Sequence, residues 1–354
     1  MRTLKKANLK NKRVILRSDF NEPLSKKGVI LDDYKIKKTI PTIEFLISKG
    51  AKVILISHFG RPKAEDNPKI KDKKYSLKPI TIHLEKILKV KVKFIPDCLG
   101  EKTKKEVFEL KSKEVAILEN LRFYKGEEQK SEKFAKELAS LGEVYVNDAF
   151  GVLHRDHASV IGIPKYLPSF AGFLLEKELK NLKQMMKNPE KPLIAIVGGA
   201  KVKTKAKLIN RLSEIADFVL IGGLIAKEIK AKDIYLNYPK KIIAPIDETA
   251  NGKDIGEKTI SFFREKILSA KTIFFNGVMG QTENSKYRKG TEEILRAIIK
   301  SGAFSVAGGG ETVEFISSLE LTSKISHLST GGGAMIAYLA GEKLPGIRAL
   351  DRWK

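Results

Sequence analysis

The sequence predicts an α/β protein built on two parallel sheets. Short apolar runs rich in β-branched residues alternate with longer helical patterns, an order typical of parallel strands covered by helices. The chain has 354 residues, which is long for one core and favours two domains. The second half of the sequence repeats the alternation of strand and helix patterns found in the first, so we expect each half to supply one sheet.

The strand candidates can be placed in order along the chain. In the first half they are RVILRSDF, AKVILISH, VKVKFIP, EVAILENL and EVYVNDAF, with helical stretches such as IKKTIPTIEFLISKG and SEKFAKELASLG between them. In the second half they are PLIAIVGG, ADFVLIGG, KIIAPID, AKTIFFNG, AFSVAGGG and ISHLSTGGG. The intervening SFAGFLLEKELKNLKQMMKNPEKP has apolar residues at helical spacing and predicts an amphipathic helix that connects two domains.

Composition limits the class of protein. A single cysteine, Cys98, excludes a disulfide framework and a thiolate zinc cluster. No apolar run approaches the ~20 residues of a membrane span, and the charged start lacks the apolar segment of a secretory signal. These features favour the cytoplasm. The net charge of +25 comes from lysines spread along the chain, which favours a lysine-rich surface over a nucleic-acid-binding stripe.

The strand ends of the first half are rich in cations. Ligands of parallel sheets bind beyond the carboxyl ends of the strands, which here carry RSDFNEPL, SHFGRPK, LENLRFYKGEE and NDAFGVLHRDHAS. Besides Arg17 in the first strand, these segments hold three of the twelve arginines and three of the five histidines: Arg61, Arg122, Arg155, His58, His154 and His157. The guanidinium group of arginine forms paired hydrogen bonds to phosphate or carboxylate oxygens. We therefore expect a small, multiply charged anion to bind at these strand ends.

The strand ends of the second half are rich in glycine. They read GGAKVKTK, GGLIAK, NGVMGQTE, GGGETV and STGGG. Glycine lets backbone N–H groups approach a phosphate closely, and a following helix adds the positive end of its dipole. Lys201 and Lys205 are four apart, so we expect them to lie on one face of a helix and to point toward the same phosphates. The two halves together predict phosphoryl transfer between an anionic metabolite and a nucleotide, with a closing hinge that excludes water.

Other nucleotide-binding classes are excluded by their motifs. The tripeptide HRD at His154–Asp156 also occurs in protein-kinase catalytic loops, but no VAIK strand precedes it and no DFG follows it. The sequence also has no Walker loop and no GxGxxG fingerprint. Protein kinases, P-loop enzymes and dinucleotide-binding proteins are therefore ruled out.

Eight motifs, in order and almost from end to end, closely resemble those of phosphoglycerate kinases: RSDFNEPL, SHFGRPK, LENLRFYKGEE, NDAFGVLHRDHAS, GGAKVKTK, NGVMGQTE, GGGETV and HLSTGGGA…LPGI. The resemblance implies reversible transfer between 1,3-bisphosphoglycerate with Mg-ADP and 3-phosphoglycerate with Mg-ATP. It also implies two Rossmann-like domains with parallel sheets joined by a hinge helix: a substrate domain at 1–170, an interdomain helix at 171–190, a nucleotide domain at 191–340 and a returning tail at 341–354. We expect a monomer with small-molecule substrates, no membrane and no specific nucleic acid.

The resemblance also assigns roles to residues. Those implied to bind 3-phosphoglycerate are Asp19, Phe20, Asn21, Lys35, His58, Phe59, Gly60, Arg61, Arg122 and Arg155. Those implied to bind the nucleotide are Lys205, Gly222, Glu283 at the ribose, Gly309, Gly310, Glu311 and Thr312. Those implied to act on the transferring group are Lys35, Lys201, Gly331 and Gly332. Glu311 is the implied ligand of Mg²⁺.

The sequence departs from the family pattern at four places. Lys35 stands where the family has a catalytic arginine, so the charge is kept but the planar fork is lost, a loss on the order of a few kcal/mol if uncompensated. Glu311 replaces an aspartate and is one methylene longer. Val278 replaces a proline, and the segment 222–254, which supplies the adenine pocket, is short.

Two alternatives to an active kinase stay open at this point. Lys35 and the short nucleotide segment are also consistent with a homologue that binds its ligands but transfers poorly. The charge of +25 is also consistent with a basic scaffold protein that binds nucleic acid.

Overall fold

The computed structural model describes residues 1–25, 28–68, 72–200, 202–249 and 251–352. The chain divides into two compact units, Met1–Lys177 with Lys343–Lys354, and Glu178–Glu342. In the described residues each unit contains one six-stranded sheet, and every strand pair is parallel. These two sheets confirm the predicted fold class.

The first unit has strands and helices in near alternation. Its strands are β1 (Arg13–Arg17), β2 (Lys52–Ile56), β3 (Val92–Ile95), β4 (Val115–Leu118), β5 (Val144–Asn147) and β6 (Ser169–Ala171). They lie in the order β3-β4-β2-β1-β5-β6. The helices are α1 (Tyr34–Ser48), α2 (Lys78–Leu88), α3 (Glu101–Phe108), α4 (Lys125–Glu128), α5 (Glu132–Ala139) and α6 (Phe173–Lys187), of which α6 crosses the unit boundary. Further short helices, of the 3-10 type except for the π-helix Ala158–Gly162, are Leu4–Lys6, Lys73–Tyr75, Leu121–Phe123, Phe150–Val152, Ala158–Gly162 and Ile163–Lys165.

Apolar residues at strand and helix spacing build the core of this unit. The strands are buried on both faces, which explains their nearly continuous apolar sequences. Helix α1 buries Ile36, Ile43 and Leu46, spaced seven and three apart, and these side chains belong to the same cluster as Val53 and Leu55 of β2. The helices therefore cover the sheet and leave the ends of the strands for the site.

Strand β6 is a difference from the sequence prediction, which placed a helix from Ser169 onward. Ser169–Ala171 pairs with β5 instead, and the helix begins at Phe173. Two side chains fix that start: Thr42 Oγ1 accepts from the N–H of Phe173 at 3.0 Å, and Asp148 Oδ1 accepts from that of Leu175 at 3.1 Å. The prediction was wrong here because these acceptors are distant in sequence.

The second unit repeats the architecture. Its strands are β7 (Leu193–Val197), β8 (Phe218–Ile221), β9 (Ile242–Ile243), β10 (Thr272–Asn276), β11 (Phe304–Gly308) and β12 (His327–Ser329), in the order β12-β11-β10-β7-β8-β9. Its helices are α7 (Val202–Ile215), α8 (Gly223–Ala231), α9 (Glu257–Leu268), α10 (Lys289–Ser301), α11 (Gly310–Ser318) and α12 (Gly332–Leu339). Shorter helices are Pro239–Lys241, Ser285–Tyr287 and Thr322–Lys324.

The end of the chain packs in the first unit. Its last helix, Pro345–Leu350, contacts the loop after β5, where the N–H of Gly346 donates to the carbonyl of Leu153 at 3.0 Å. The amino group of Met1 pairs with Asp351 at 2.7 Å. Across the described ranges, no helix combines the length and the apolar character that crossing a bilayer requires.

Candidate active site

The predicted anion-binding segments lie at one edge of the first sheet. The chain passes from β1 toward β2 on one side and from β5 toward β6 on the other, so the ends of β1 and β5 flank the switch point where parallel sheets bind ligands. Asp19, His58 and Arg122 follow the neighbouring strands β1, β2 and β4, and Arg155 lies in the loop after β5. The structure therefore brings the four segments to the same edge.

Hydrogen bonds tie three of these loops together. Asn21 Oδ1 accepts from the N–H of Gly60 at 2.8 Å. Asn120 accepts from the N–H of Phe59 at 3.0 Å and donates to its carbonyl at 2.6 Å. Arg122 donates to the carbonyl of Gly60 at 2.6 Å. These hydrogen bonds hold the three loops together at the edge.

The predicted residues of this edge differ in exposure. Phe20 and Phe59 are buried, with exposed fractions of 0% and 7%, so their part in a site is through packing and backbone. Arg61 is exposed and Arg155 partly exposed, so both guanidinium groups are open to an anion. Lys35, at the start of α1, donates from Nζ to the carbonyl of Asn21 at 2.8 Å and so joins the same group.

The electrostatic field at this edge is positive. Burial lowers the pKa of His58 well below its usual range, and Arg17, Arg122 and Arg155 add to that effect while Asp19 opposes it. Burial likewise lowers the pKa of Arg122 to about 10, with Arg155 the next cause. His58 is therefore neutral at pH 7, and the mutual repulsion of the arginines is relieved when an anion binds.

Asp19 is the acidic member of the group. Burial disfavours its ionised form, but Lys35, His58 and Arg17 outweigh burial and hold the pKa of Asp19 below its usual range. A charged carboxylate beside the cations Lys35 and Arg17 provides an acceptor for a ligand hydroxyl. The edge thus offers both cationic donors and an anionic acceptor.

Glycines meet at the switch point of the second sheet, between β7 and β10. The N–H of Gly198 donates to the carbonyl of Asn276 at 2.9 Å, and that of Gly199 donates to Val278 at 2.8 Å. A Cβ built on Gly198 would lie 2.6 Å from the carbonyl oxygen of Gly277. Only glycine permits so close an approach of two main chains, which places both loops at the strand ends.

A lysine and a carboxylate border this junction. Lys205, buried in α7, donates to the carbonyl of Gly198. A Cβ built on Gly199 would lie 2.9 Å from Lys205 Nζ and 3.5 Å from Glu311 Oε2. The ammonium and the carboxylate therefore both lie beside the backbone of Gly199. The predicted partner lysine, Lys201, lies outside the described residues.

Two helices begin with open glycines beside this point. Gly309 precedes α11 with a φ of +106°, and Gly310 is its first residue. Gly331 precedes α12, and Gly332 is its first residue with a φ of +31°. Among described atoms, a Cβ at Gly310 or Gly332 has no neighbour within 4 Å. The space beside Gly310 and Gly332 is accordingly open to a phosphate, whereas the N–H of Gly331 donates to Ser329 Oγ at 3.1 Å.

Of the remaining residues predicted to bind the nucleotide, two lie beside the strand ends and one lies in an exposed turn. Thr312 Oγ1 accepts from the N–H of Gly277 at 2.7 Å and joins the loop after β10 to α11. Gly222 precedes α8, and its N–H donates to the carbonyl of Val197 at 2.9 Å. Glu283 is exposed in a turn after β10, and in the described part of the chain no hydrogen bond or ion pair joins it to the glycines. Its assignment to the ribose stays a prediction.

The residues present fit a magnesium ion that arrives with a nucleotide. Within the described residues no cluster of three or more metal-binding side chains occurs. Glu311 is a single exposed carboxylate beside Lys205 and an open helix start. Mg²⁺ is commonly held by one or two carboxylates together with substrate phosphates, so this donor set suits it.

Two polar residues that support the site from within the strands were not among those predicted from the sequence. Arg17, fully buried at the end of β1, donates to Ser159 Oγ at 2.9 Å and lies 3.3 Å from His58 Nδ1. Asn276, at the end of β10, donates to the carbonyl of Gly308 at 2.6 Å. Both follow apolar runs, in RVILR and TIFFN, and a polar residue that ends a buried strand is the signal that would have found them.

Comparisons with known proteins identify relatives over nearly the whole length. A model of the phosphoglycerate kinase family matches residues 4–237 and 237–342. The phosphoglycerate kinase of Dictyoglomus turgidum is 41% identical, with 98% of each chain covered. That of Borrelia turicatae is 38% identical, over 99% of this chain and 100% of its own.

Solved structures agree with these relatives. Phosphoglycerate kinase from Pyrococcus horikoshii matches with a TM-score of 0.87 at 34% identity, covering 99% of this chain and 98% of that one. The enzyme from Coxiella burnetii matches with a TM-score of 0.84 at 32% identity, covering 99% of each. These findings confirm the resemblance that the eight motifs indicated. The chain belongs to the phosphoglycerate kinase family.

Proposed function

We propose that this chain transfers a phosphoryl group reversibly between 1,3-bisphosphoglycerate with ADP and 3-phosphoglycerate with ATP. The observation that carries the proposal is the pair of sheet edges, one lined by cationic side chains and the other by helix starts with open glycines. Membership of the family makes the chain a kinase with a place in glycolysis. The alternative of a catalytically impaired homologue has no support in the comparisons.

The first unit is proposed to hold the three-carbon acid. Arg61, Arg122 and Arg155 grip its phosphate and carboxylate oxygens, because guanidinium forks bind such groups in a bidentate manner. His58, neutral at pH 7, contributes a hydrogen bond without adding to the repulsion among the arginines. Asp19 accepts from the substrate hydroxyl. This arrangement orients the acid so that one carboxylate oxygen faces the donor phosphate.

The second unit is proposed to hold the nucleotide phosphates. Lys205 and the amides of 309–312 bind the phosphates that stay with the nucleotide. The amides of Gly331 and Gly332, at the start of α12, stabilise charge on the oxygens of the transferring group. Lys35 and Lys201 provide positive charge along its path, and for Lys201 this role rests on the family resemblance alone.

Magnesium is proposed as the cofactor, held by Glu311 together with the nucleotide. When bound, the ion neutralises phosphate charge and helps to orient the transferring group. The carboxylate of Glu311, which lies near Lys205, is a hard oxygen ligand of the kind that Mg²⁺ prefers. We also propose a cytoplasmic monomer in which a hinge brings the two bound substrates together.

The proposal is tested by steady-state kinetics in an assay coupled to formation of 1,3-bisphosphoglycerate. ATP turnover is expected only when 3-phosphoglycerate and Mg²⁺ are both present, since water alone is excluded as acceptor. R122A is expected to raise the KM for 3-phosphoglycerate by about tenfold or more and to leave that for ATP within about twofold. No turnover under saturating conditions would reject the proposed function.

A further inference from the structure

The ammonium group of Lys35 lies among three acceptors. Its Nζ is 2.8 Å from the carbonyl oxygen of Asn21, 3.8 Å from Glu22 Oε2 and 4.0 Å from Asp19 Oδ2. The side chain is only 25% exposed. A lysine has four rotatable bonds, and contacts on several sides of the ammonium restrict the rotamers that it samples.

Glu22 contacts the main chain of the same lysine. Its Oε1 accepts from the backbone N–H of Lys35 at 2.6 Å, in the first turn of α1. That N–H is one of the donors that a helix start leaves without a partner inside the helix. Asp32 Oδ1 accepts from the N–H of Tyr34 at 2.9 Å, so two carboxylates cap this helix start. Of the two, Glu22 also reaches the lysine side chain.

Capping alone does not account for a buried carboxylate at this position. Glu22 is only 6% exposed, and burial, with Asp19 and Asp32 beside it, raises its pKa to about 7. A neutral Ser or Asn side chain would accept from a helix N–H without that electrostatic cost. The second carboxylate oxygen of Glu22 faces the ammonium group of Lys35. Asp19 and Glu22 outweigh burial and raise the pKa of Lys35.

We propose that Glu22 is a positioning residue for Lys35, holding both its backbone and its ammonium so that a lysine serves where relatives use a planar arginine fork. The inference rests on the proposed function, in which Lys35 faces the transferring phosphoryl group. Arginine is preorganised by its planar group, whereas lysine depends on its surroundings for a fixed geometry. Glu22 and the carbonyl of Asn21 supply that geometry.

A double-mutant cycle of E22Q and K35A tests this inference. Glutamine keeps an acceptor for the helix N–H but loses the charge that faces the ammonium. E22Q is expected to lower kcat by about tenfold and to leave the KM for 3-phosphoglycerate within about twofold, because misplacing a group that acts on the transition state affects kcat. In the K35A background, the same change should alter kcat by less than about twofold.

The matched control is D32N, which alters the neighbouring cap of the same helix and is expected to change kcat by less than about twofold. An equal loss from E22Q in both backgrounds would overturn the inference, since it would assign Glu22 to helix capping alone. Thermal unfolding of each variant checks that the fold is retained.

A measurement on the unmutated protein separates this inference from the proposed function. With ¹³C-labelled lysine, the ε-carbon of Lys35 should show an inflection near the pKa of Glu22, which is about 7. A flat response would overturn the inference even where E22Q does not fold. If the enzyme failed to turn over at all, the proposed function would be rejected, and the titration would still decide whether Glu22 and Lys35 are coupled.

Discussion

Replacing Gly310 with alanine is expected to stabilise the second unit and to weaken its binding of nucleotide. Gly310 is the first residue of α11 and lacks a left-handed φ, and a Cβ built on it meets none of the described atoms within 4 Å. Alanine therefore fits without strain and reduces the entropy of the unfolded chain. The gain is about 0.4–1 kcal/mol, which raises Tm by about 1–4 °C for a unit of this size.

The same open space accounts for the loss of binding. The proposed phosphates approach the amides at the start of α11, and a methyl group at Gly310 occupies part of that approach. Losing one hydrogen bond to a charged phosphate costs about 1.5–3 kcal/mol. The Kd for ATP should therefore rise about 10- to 150-fold. Stability and binding thus change in opposite directions.

Calorimetric titration with ATP and thermal unfolding measure the two effects, and two other glycines provide matched controls. G309A should lose both stability and binding, because Gly309 has a φ of +106° and an added Cβ would lie 2.6 Å from Asn276 Nδ2. G341A should lose about 1–2 kcal/mol and keep its ATP affinity, because Gly341 follows α12 with a φ of +82°. A G310A protein that binds ATP as tightly as the unmutated one would refute the proposed phosphate site.

Three further predictions concern buried or charged groups. E178A should destabilise the protein by about 3 kcal/mol in urea unfolding, because Glu178 is fully buried, pairs with His327 at 2.7 Å and accepts from Thr330. E311Q should weaken binding of Mg-ATP more than that of metal-free ATP, and equal losses in titrations with and without Mg²⁺ would contradict its role. Burial raises the pKa of Asp148 from 3.8 to about 7, so its contribution to stability is present below pH 3.8 and is lost as pH rises through about 7. D148N should lose that dependence, and unchanged pH profiles of unfolding would contradict this.

Most of the fold could be predicted because the strands are apolar runs bounded by glycine, proline or charged residues. LIAIV and TIFFN, for example, are buried at every position, and their continuous hydrophobicity marks strands covered on both faces. Strand β6 could not be predicted in the same way. It has three residues and is followed almost directly by α6, so its sequence merges with the apolar pattern of the helix.

The location of the site could be predicted for a topological reason. The carboxyl ends of parallel strands share one edge, so motifs such as SHFGRPK and LENLRFYKGEE were expected to meet, and their loops are joined by Asn120 and Arg122. The contacts made by Glu22 could not be predicted. Glu22 lies thirteen residues before Lys35, and only the path of the intervening loop brings its carboxylate to the start of α1.

In the proposed function the two edges bind anions by different physical means, and this decides which substitutions are expected to remove activity. In the first unit the proposed donors are side chains. Burial and the neighbouring arginines disfavour their charged forms, which is why the pKa values of His58 and Arg122 are lowered. Truncating such a side chain removes the interaction directly. In the second unit the proposed donors, apart from Lys205 and Lys201, are main-chain amides, which no substitution except proline can delete. Function there is lost by adding a side chain, so Gly310, where alanine fits the fold, isolates binding from stability.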